Sequence, residues 1–186
     1  MATRTGGRWT VVTVVILVVV LVLLGGAAWF TAGRSAEGVP PGSAPSSLPD
    51  SGAGADTVAL SADAATHPAA QLVLEQIQLY FNAINNRDYA TWSQVVTDER
   101  ASQQPRDEWL RGIGSTTDGT IRVDRIVDLD QGRVLALVRF VSVQNPDDGP
   151  AGLKVGRICW RASMPMAGSP PRLEVGEAEN TLGAPC

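Results

Sequence analysis

Lysine is almost missing from this chain, with Lys154 alone among 15 basic residues, and histidine occurs once, at His67. Without a second histidine, neither a Ser-His-Asp triad nor a His-based metal site can be assembled from this chain alone. A basic excess is also lacking. Acidic residues outnumber basic ones 19 to 15, for a net charge of −4, and the acidic balance holds on both sides of His67. Phosphate backbones require the opposite balance, so nucleic acid is excluded as a direct partner. The two cysteines, Cys159 and Cys186, form no CxxC pair, which removes the usual redox and zinc motifs. Gly112-Ile113-Gly114 lacks the third glycine of a dinucleotide loop and reads as a helix stop. Asp128-Leu129-Asp130-Gln131-Gly132 begins like a calcium loop, but Arg139 stands where the bidentate Glu belongs, so a hairpin turn is expected. No cofactor and no metal are expected.

What the chain does have in quantity is an uninterrupted apolar run. Residues 10–30 carry no charge, and about twenty such residues are enough for a helix to cross a hydrocarbon core of roughly 30 Å. Trp9 and Trp29 flank the run, where amphipathic rings favour the headgroup level, and Arg4 and Arg8 lie on its short side. The positive-inside bias then places residues 1–9 in the cytoplasm and everything after residue 30 outside, with the lipid bilayer as the first partner. A cleaved signal peptide is the rival reading. The run exceeds the usual signal core of about 7–15 residues, and bulky Trp29 and Phe30 follow the small residues at 25–28. No cysteine follows the run closely, which excludes lipoprotein processing.

Residues 31–66 are rich in Pro, Gly, Ser and Ala, with too few large apolar side chains to bury a core, and read as a flexible spacer. Residues 67–186 then have room for one extracytoplasmic domain. An even cysteine count in an oxidising compartment points to a Cys159–Cys186 disulfide, which would tie Cys186 to a strand and add very roughly 3–4 kcal/mol.

Pro68 suits the first turn of a helix, with Thr66 or His67 as its cap. Val73, Ile77, Tyr80 and Ile84 then recur at helical spacing, with Leu74 and Phe81 widening the stripe. That helix is expected to stop at Asn85-Asn86. Asp88 caps a second short helix that faces Trp92 and Val95-Val96 inward, and Pro105 opens a third around Trp109. Beyond Gly114 the period changes to two. Four strands are expected: around 121–129, 133–143, 153–164 and 172–180. Helices followed by an antiparallel meander imply an α+β domain with a curved sheet wrapped on the long first helix.

This order of elements resembles the NTF2-like superfamily, the cone-shaped α+β fold. The segment LYFNAINNRDYATWSQVVTDE, Leu79 to Glu99, is similar to that family's opening pattern of an aromatic pair, a small-residue turn and a second helix ending in acids. The superfamily includes ketosteroid isomerases, polyketide cyclases and non-catalytic domains, and the fold alone does not choose among them. In the isomerase pattern a first-helix Tyr stabilises the oxyanion, and Tyr80 falls there. The general base is an Asp before a Pro, where this chain has Gln104-Pro105. Glutamine cannot accept the proton, so the resemblance implies a domain without that catalysis. An apolar anchor, a spacer and such a domain together resemble Mce-associated membrane proteins, accessory subunits of actinobacterial envelope lipid-import systems. They also resemble VirB8/TcpC-type scaffold subunits of conjugation machines. Both imply other envelope membrane proteins as partners.

The remaining candidates for a cavity or an interface are Tyr80, Trp92, Trp109 and Trp160, since large rings line lipid-sized cavities and anchor contacts, although in a small domain they are more often core. His67 is expected to be a helix-entry residue. Arg139, Arg157 and Arg161 can share a strand face, with nearby acids as default partners. A non-catalytic scaffold is the leading expectation, and a cavity that binds an apolar ligand or an enzyme is the alternative. A buried carboxylate of raised pKa in the pocket favours the second; a lining of Leu, Val and Trp alone favours the first.

Overall fold

In the computed structural model, residues 48–175 and 181–186 are described. The apolar run at 10–30 and its flanking Arg4, Arg8, Trp9 and Trp29 lie outside them. Among the described residues no helix is long and apolar enough to cross a membrane.

The architecture is α+β: five helices and a mixed, open sheet of six strands among the described residues. Strand β1 (Ala59–Leu60) and helix α1 (Ala62–Ala65) come first, followed by α2 (Ala70–Asn86), α3 (Tyr89–Val95), α4 (Asp98–Gln103) and α5 (Arg106–Ile113). The sheet continues with β2 (Thr117–Asp128), β3 (Val134–Val143), β4 (Arg157–Ala167), β5 (Arg172–Leu173) and β6 (Thr181–Pro185). β1 runs parallel to β2, the other strand pairs are antiparallel, and an isolated parallel bridge joins Val96 to Leu173.

Helix α2 forms where the apolar stripe runs. Val73, Ile77, Phe81 and Ile84 are buried, as the helical spacing requires, and Arg87 ends the helix in the left-handed region at φ 58°. Asp88 caps α3 by accepting from the Thr91 N–H. His67 does serve helix entry: its Nδ1 accepts from the Ala69 N–H, while its Nε2 lies 3.2 Å from Asp128 Oδ1. Helix α2 begins two residues later than Pro68, with Ala69 at the cap position.

Three expectations are corrected. Residues 48–66, assigned to the spacer by composition, contribute β1 and α1, and Ala53, Val58 and Ala64 are buried. Their own side chains are too few to make a core, but an existing sheet supplies the partners: β1 adds to the free edge of β2, and Ser61 caps α1 while donating to Asp124 O. Helix α4 appears between the second and third expected helices, capped by Thr97 with Asp98 and Glu99 in its first turn. The last expected strand is only Arg172–Leu173 among the described residues, whereas β6 pairs with β4 as an unforeseen edge.

Alternation sorts the long strands cleanly. On β3, Val134, Ala136, Val138 and Phe140 face the helices, and Met166 and Met164, opposite Val134 and Ala136 on β4, pack in the same core. The intervening residues, including Arg139 and Arg161, occupy the other face, which is here called the outer face. At Asp130–Gly132 a tight turn joins β2 and β3, with Gln131 and Gly132 at positive φ. That agrees with the hairpin reading.

The stretch 48–57 lies across the outer face. Gly119 makes this possible, since a Cβ there would come within 2.6 Å of Gly54 O and 2.7 Å of Ala53 O. Thr120 holds the same stretch, its Oγ1 donating to Ala53 O and its N–H to Ala55 O. Arg157 adds bonds to the carbonyls of Pro49 and Gly52.

Candidate functional site

A cavity of about 550 Å³ lies between α2, α4 and the helix-side face of the sheet. Its walls combine Tyr80, Phe81 and Ile84 from α2, Arg100 and Gln103 from α4, and Phe140, Ala162 and Met164 from the sheet. Tyr80 and Gln104, far apart in sequence, both line it, as does Asp118.

Asp118 sits at the start of β2 and is only 3% exposed. Three neighbours hold it there. The Asn85 side chain clasps its backbone in both directions, accepting from the Asp118 N–H at 2.8 Å and donating to its carbonyl at 2.9 Å. The register Asp118↔Ser142 brings the Ser142 hydroxyl against Asp118 Oδ1, to which it donates. Trp160 Nε1–H in turn donates to Ser142 Oγ at 2.9 Å. Burial pushes the Asp118 carboxyl from 3.8 up to about 6, against the opposing pull of the Ser142 hydroxyl and the Arg87 charge. The carboxylate therefore changes charge close to neutral pH, and no donor other than Ser142 reaches its oxygens among the described residues.

Around it the cavity offers a positive group and an aromatic wall. The Arg100 guanidinium donates to Tyr80 Oη at 3.1 Å and to Glu174 O at 3.1 Å, and lies 5.3 Å from the Tyr80 ring centroid. The hydroxyl of Tyr80 is thus already an acceptor for a cation. Phe81 packs against Tyr80 at 5.4 Å and against Phe140 at 4.9 Å, and Phe140 stacks on Trp160 at 6.1 Å. An unbroken line of rings runs from α2 onto β4.

The four aromatic candidates separate. Tyr80 lines the helix-side cavity, and Trp160 lines a second one on the outer face while bonding toward the first. Trp92 and Trp109 do neither: at 1% and 2% exposure they pack on each other and on Tyr89, 5.3–5.6 Å apart. Their rings join α3 and α5, so they are core rather than cavity or interface. Cys159 and Cys186 are paired, with Cα atoms 5.1 Å apart, and fasten β6 to β4. Arg139 pairs with Asp124, Arg157 binds carbonyls, and Arg161 has no acidic partner among the described residues. Among the described residues no cluster of metal-ligating side chains is present.

Sequence reasoning did not find Asp118, Ser142, Asn85 or Arg100. Asp118-Gly119 reads as a turn dipeptide, and only the pairing of β2 with β3 aims the aspartate at the helices. A scan against protein-family models gives no match, and a search of curated proteins gives none either.

Proposed function

We propose that this is a single-pass membrane protein, amino terminus inside, whose extracytoplasmic NTF2-like domain holds a small ligand as an accessory subunit of a cell-envelope assembly. The ligand-holding part is carried by one observation: a buried carboxylate of raised pKa inside a cavity where the apolar Phe81, Ile84, Phe140 and Met164 meet the charged Arg100, Glu108 and Glu174. Of the two pocket types weighed from the sequence, this is the one that favours a cavity enzyme or small-ligand binder. A volume near 550 Å³ falls in the range of small-molecule sites. Its chemistry suits a molecule with an apolar body and one hydrogen-bond donor, hydroxyl or amine, directed at Asp118.

The accessory role rests on the layout of anchor, spacer and domain. Mce-type lipid transport is the favoured setting, and a VirB8/TcpC-like conjugation scaffold is the alternative. The proposal is non-catalytic because Gln104 occupies the place of the isomerase-type base and cannot take a proton.

The test is a crosslinking pull-down of the full-length protein from its native membranes, with small molecules extracted from the same sample. Recovery of transporter subunits together with a small molecule that Asp118→Asn fails to retain supports the reading. Recovery of partners with no small molecule, from wild type and variant alike, leaves only the scaffold.

A second reading has its own observation. A carboxylate titrating near 6 in the same cavity as Tyr80 and Arg100 is a competent proton acceptor beside a positive, donor-bearing wall. Turnover of a ketosteroid-type substrate by the wild-type chain, lost in Asp118→Asn, would establish it.

A further inference from the structure

The outer face carries a second cavity, of about 820 Å³, whose chemistry is opposite in sign. Register places Arg122, Arg139 and Arg161 directly beside one another on β2, β3 and β4, because Arg122 pairs with Arg139 and Arg139 with Arg161. The row continues at one end to Ala59 and at the other to Leu182. All three arginines line the cavity, and among the described residues no acidic side chain does. Like charges directly opposite on neighbouring strands repel, and nothing in the fold requires three of them in a row.

Among the described residues, one carboxylate serves the row. Asp124 is bonded to Arg139, and it stands 3.3 Å from Arg122 Nε without the alignment of a hydrogen bond. That Nε is buried and has no hydrogen-bond partner. Arg161, exposed at the β4 end of the three, has no ion pair among the described residues. Among the described residues, three guanidinium groups and one carboxylate leave two positive charges uncompensated over the cavity floor. Beside them the lining is apolar: Leu48, Pro49, Ile121, Val141 and Leu182, the last 67% exposed.

We propose that this cavity binds a phosphate-monoester headgroup attached to an apolar chain. The charge selects the headgroup. A phosphate monoester carries about −1.5 to −2 near neutral pH, which matches the two uncompensated positive charges, whereas a carboxylate carries half as much. Guanidinium forks bind phosphate oxygens bidentately, and the buried Arg122 Nε gains the acceptor it lacks. The apolar tail lies against Leu48, Pro49 and Leu182. The strapping of residues 49–54 by Thr120 and Arg157 builds one wall in advance, so little ordering is left for binding. Phe140 lines both cavities, but none of the three arginines lines the helix-side one.

The test uses the full-length protein and decyl phosphate bearing a diazirine on its tail, with the labelled peptides mapped after irradiation. Adducts are expected on residues 48–59 or 182–184. Unlabelled decyl phosphate is expected to compete about tenfold better than decanoate, and decanol or inorganic phosphate more weakly still. Arg161→Gln is expected to lower labelling about tenfold, and since its side chain bonds to nothing among the described residues, the fold is untouched. Leu182→Ser removes tail contact and lowers labelling without changing the order of headgroups. Equal competition by decanol, or full labelling of Arg161→Gln, would overturn the proposal, as would adducts confined to helix-side residues such as Met164. Competition by an acidic peptide but not by decyl phosphate would also overturn it, in favour of a protein partner.

Discussion

The two faces of one sheet make opposite electrostatic environments from adjacent residues. Asp118 and Arg122 lie four positions apart on β2, yet one is 3% exposed under the helices and the other reaches the outer cavity. On the helix side, water is excluded by Phe81, Phe140 and Trp160, and a single carboxylate holds its proton up to about pH 6. On the outer side, guanidinium groups remain charged and are thinned of partners rather than of water. A lone buried acid adjusts by changing its protonation, while arginine has no such option and keeps its charge for a ligand or counter-ion. Regular alternation would put residues four apart on one face, so it is the register shift between Gly119 and Arg122 that separates the two charges, and burial decides whether each persists at neutral pH.

The largest expected effect comes from the outer face. Cys186→Ser frees β6, whose strand pairing among the described residues is to β4 alone. With a sequence separation of 27 residues, the chain-entropy model puts the loss near 3–4 kcal/mol, to be read as a drop in denaturant midpoint. The same substitution should dissolve the wall formed by Leu182–Ala184 and abolish outer-cavity labelling, while the helix-side cavity loses only Thr181 from its lining. An unchanged midpoint would mean that β6 holds to the sheet without its tether.

On the helix side the sign runs with pH. Asp118 has a folded pKa raised above its unfolded value, so its contribution to stability is greatest below 3.8, is lost as pH rises to about 6, and is flat beyond. The full span amounts to about 3 kcal/mol. Asp118→Asn keeps an acceptor for the Ser142 hydroxyl and lacks the titration. The variant should therefore gain stability relative to wild type as pH rises through that window. Unfolding free energies measured for both across the window check this, and parallel curves would show that the carboxylate is better solvated than its burial implies.

Smaller effects refine the contrast. Gly119→Ala drives a methyl into the backbone of Ala53 and Gly54, and overpacking of this kind costs about 1–3 kcal/mol. Proteolysis should then cut residues 48–57 sooner, with the helix-side cavity unaffected. Tyr80→Phe removes an acceptor of Arg100, worth about 1–2 kcal/mol. Arg161→Gln should shift thermal stability by no more than about 0.5 kcal/mol, which makes its effect on ligand labelling interpretable.

Much of the helical half was legible. The stripe Val73, Ile77, Phe81, Ile84 announced α2 because a 3.6-residue period needs no knowledge of what covers it. Asp88 as a cap and Cys159 with Cys186 as a pair were equally readable, since capping is local and only one pairing of two cysteines exists. The site was much less so. Tyr80 and Gln104 were singled out through a family resemblance and do line one cavity, but Asp118, Arg100 and Ser142 were invisible. Trp92, Trp109 and Trp160 are the same residue type at comparable spacing from apolar runs, and only their neighbours distinguish core from cavity.

By itself, then, the sequence determined the α+β class, the central helix, the helix caps and the partner of Cys159, because local periods, turn chemistry and cysteine count carry those outcomes. Tertiary structure alone decided that residues 48–66 join the sheet, that Asp118 faces inward, and that three arginines from three strands stand in one row. Those outcomes depend on register between segments distant along the chain, and a one-residue slip would have sent every one of those side chains to the opposite face.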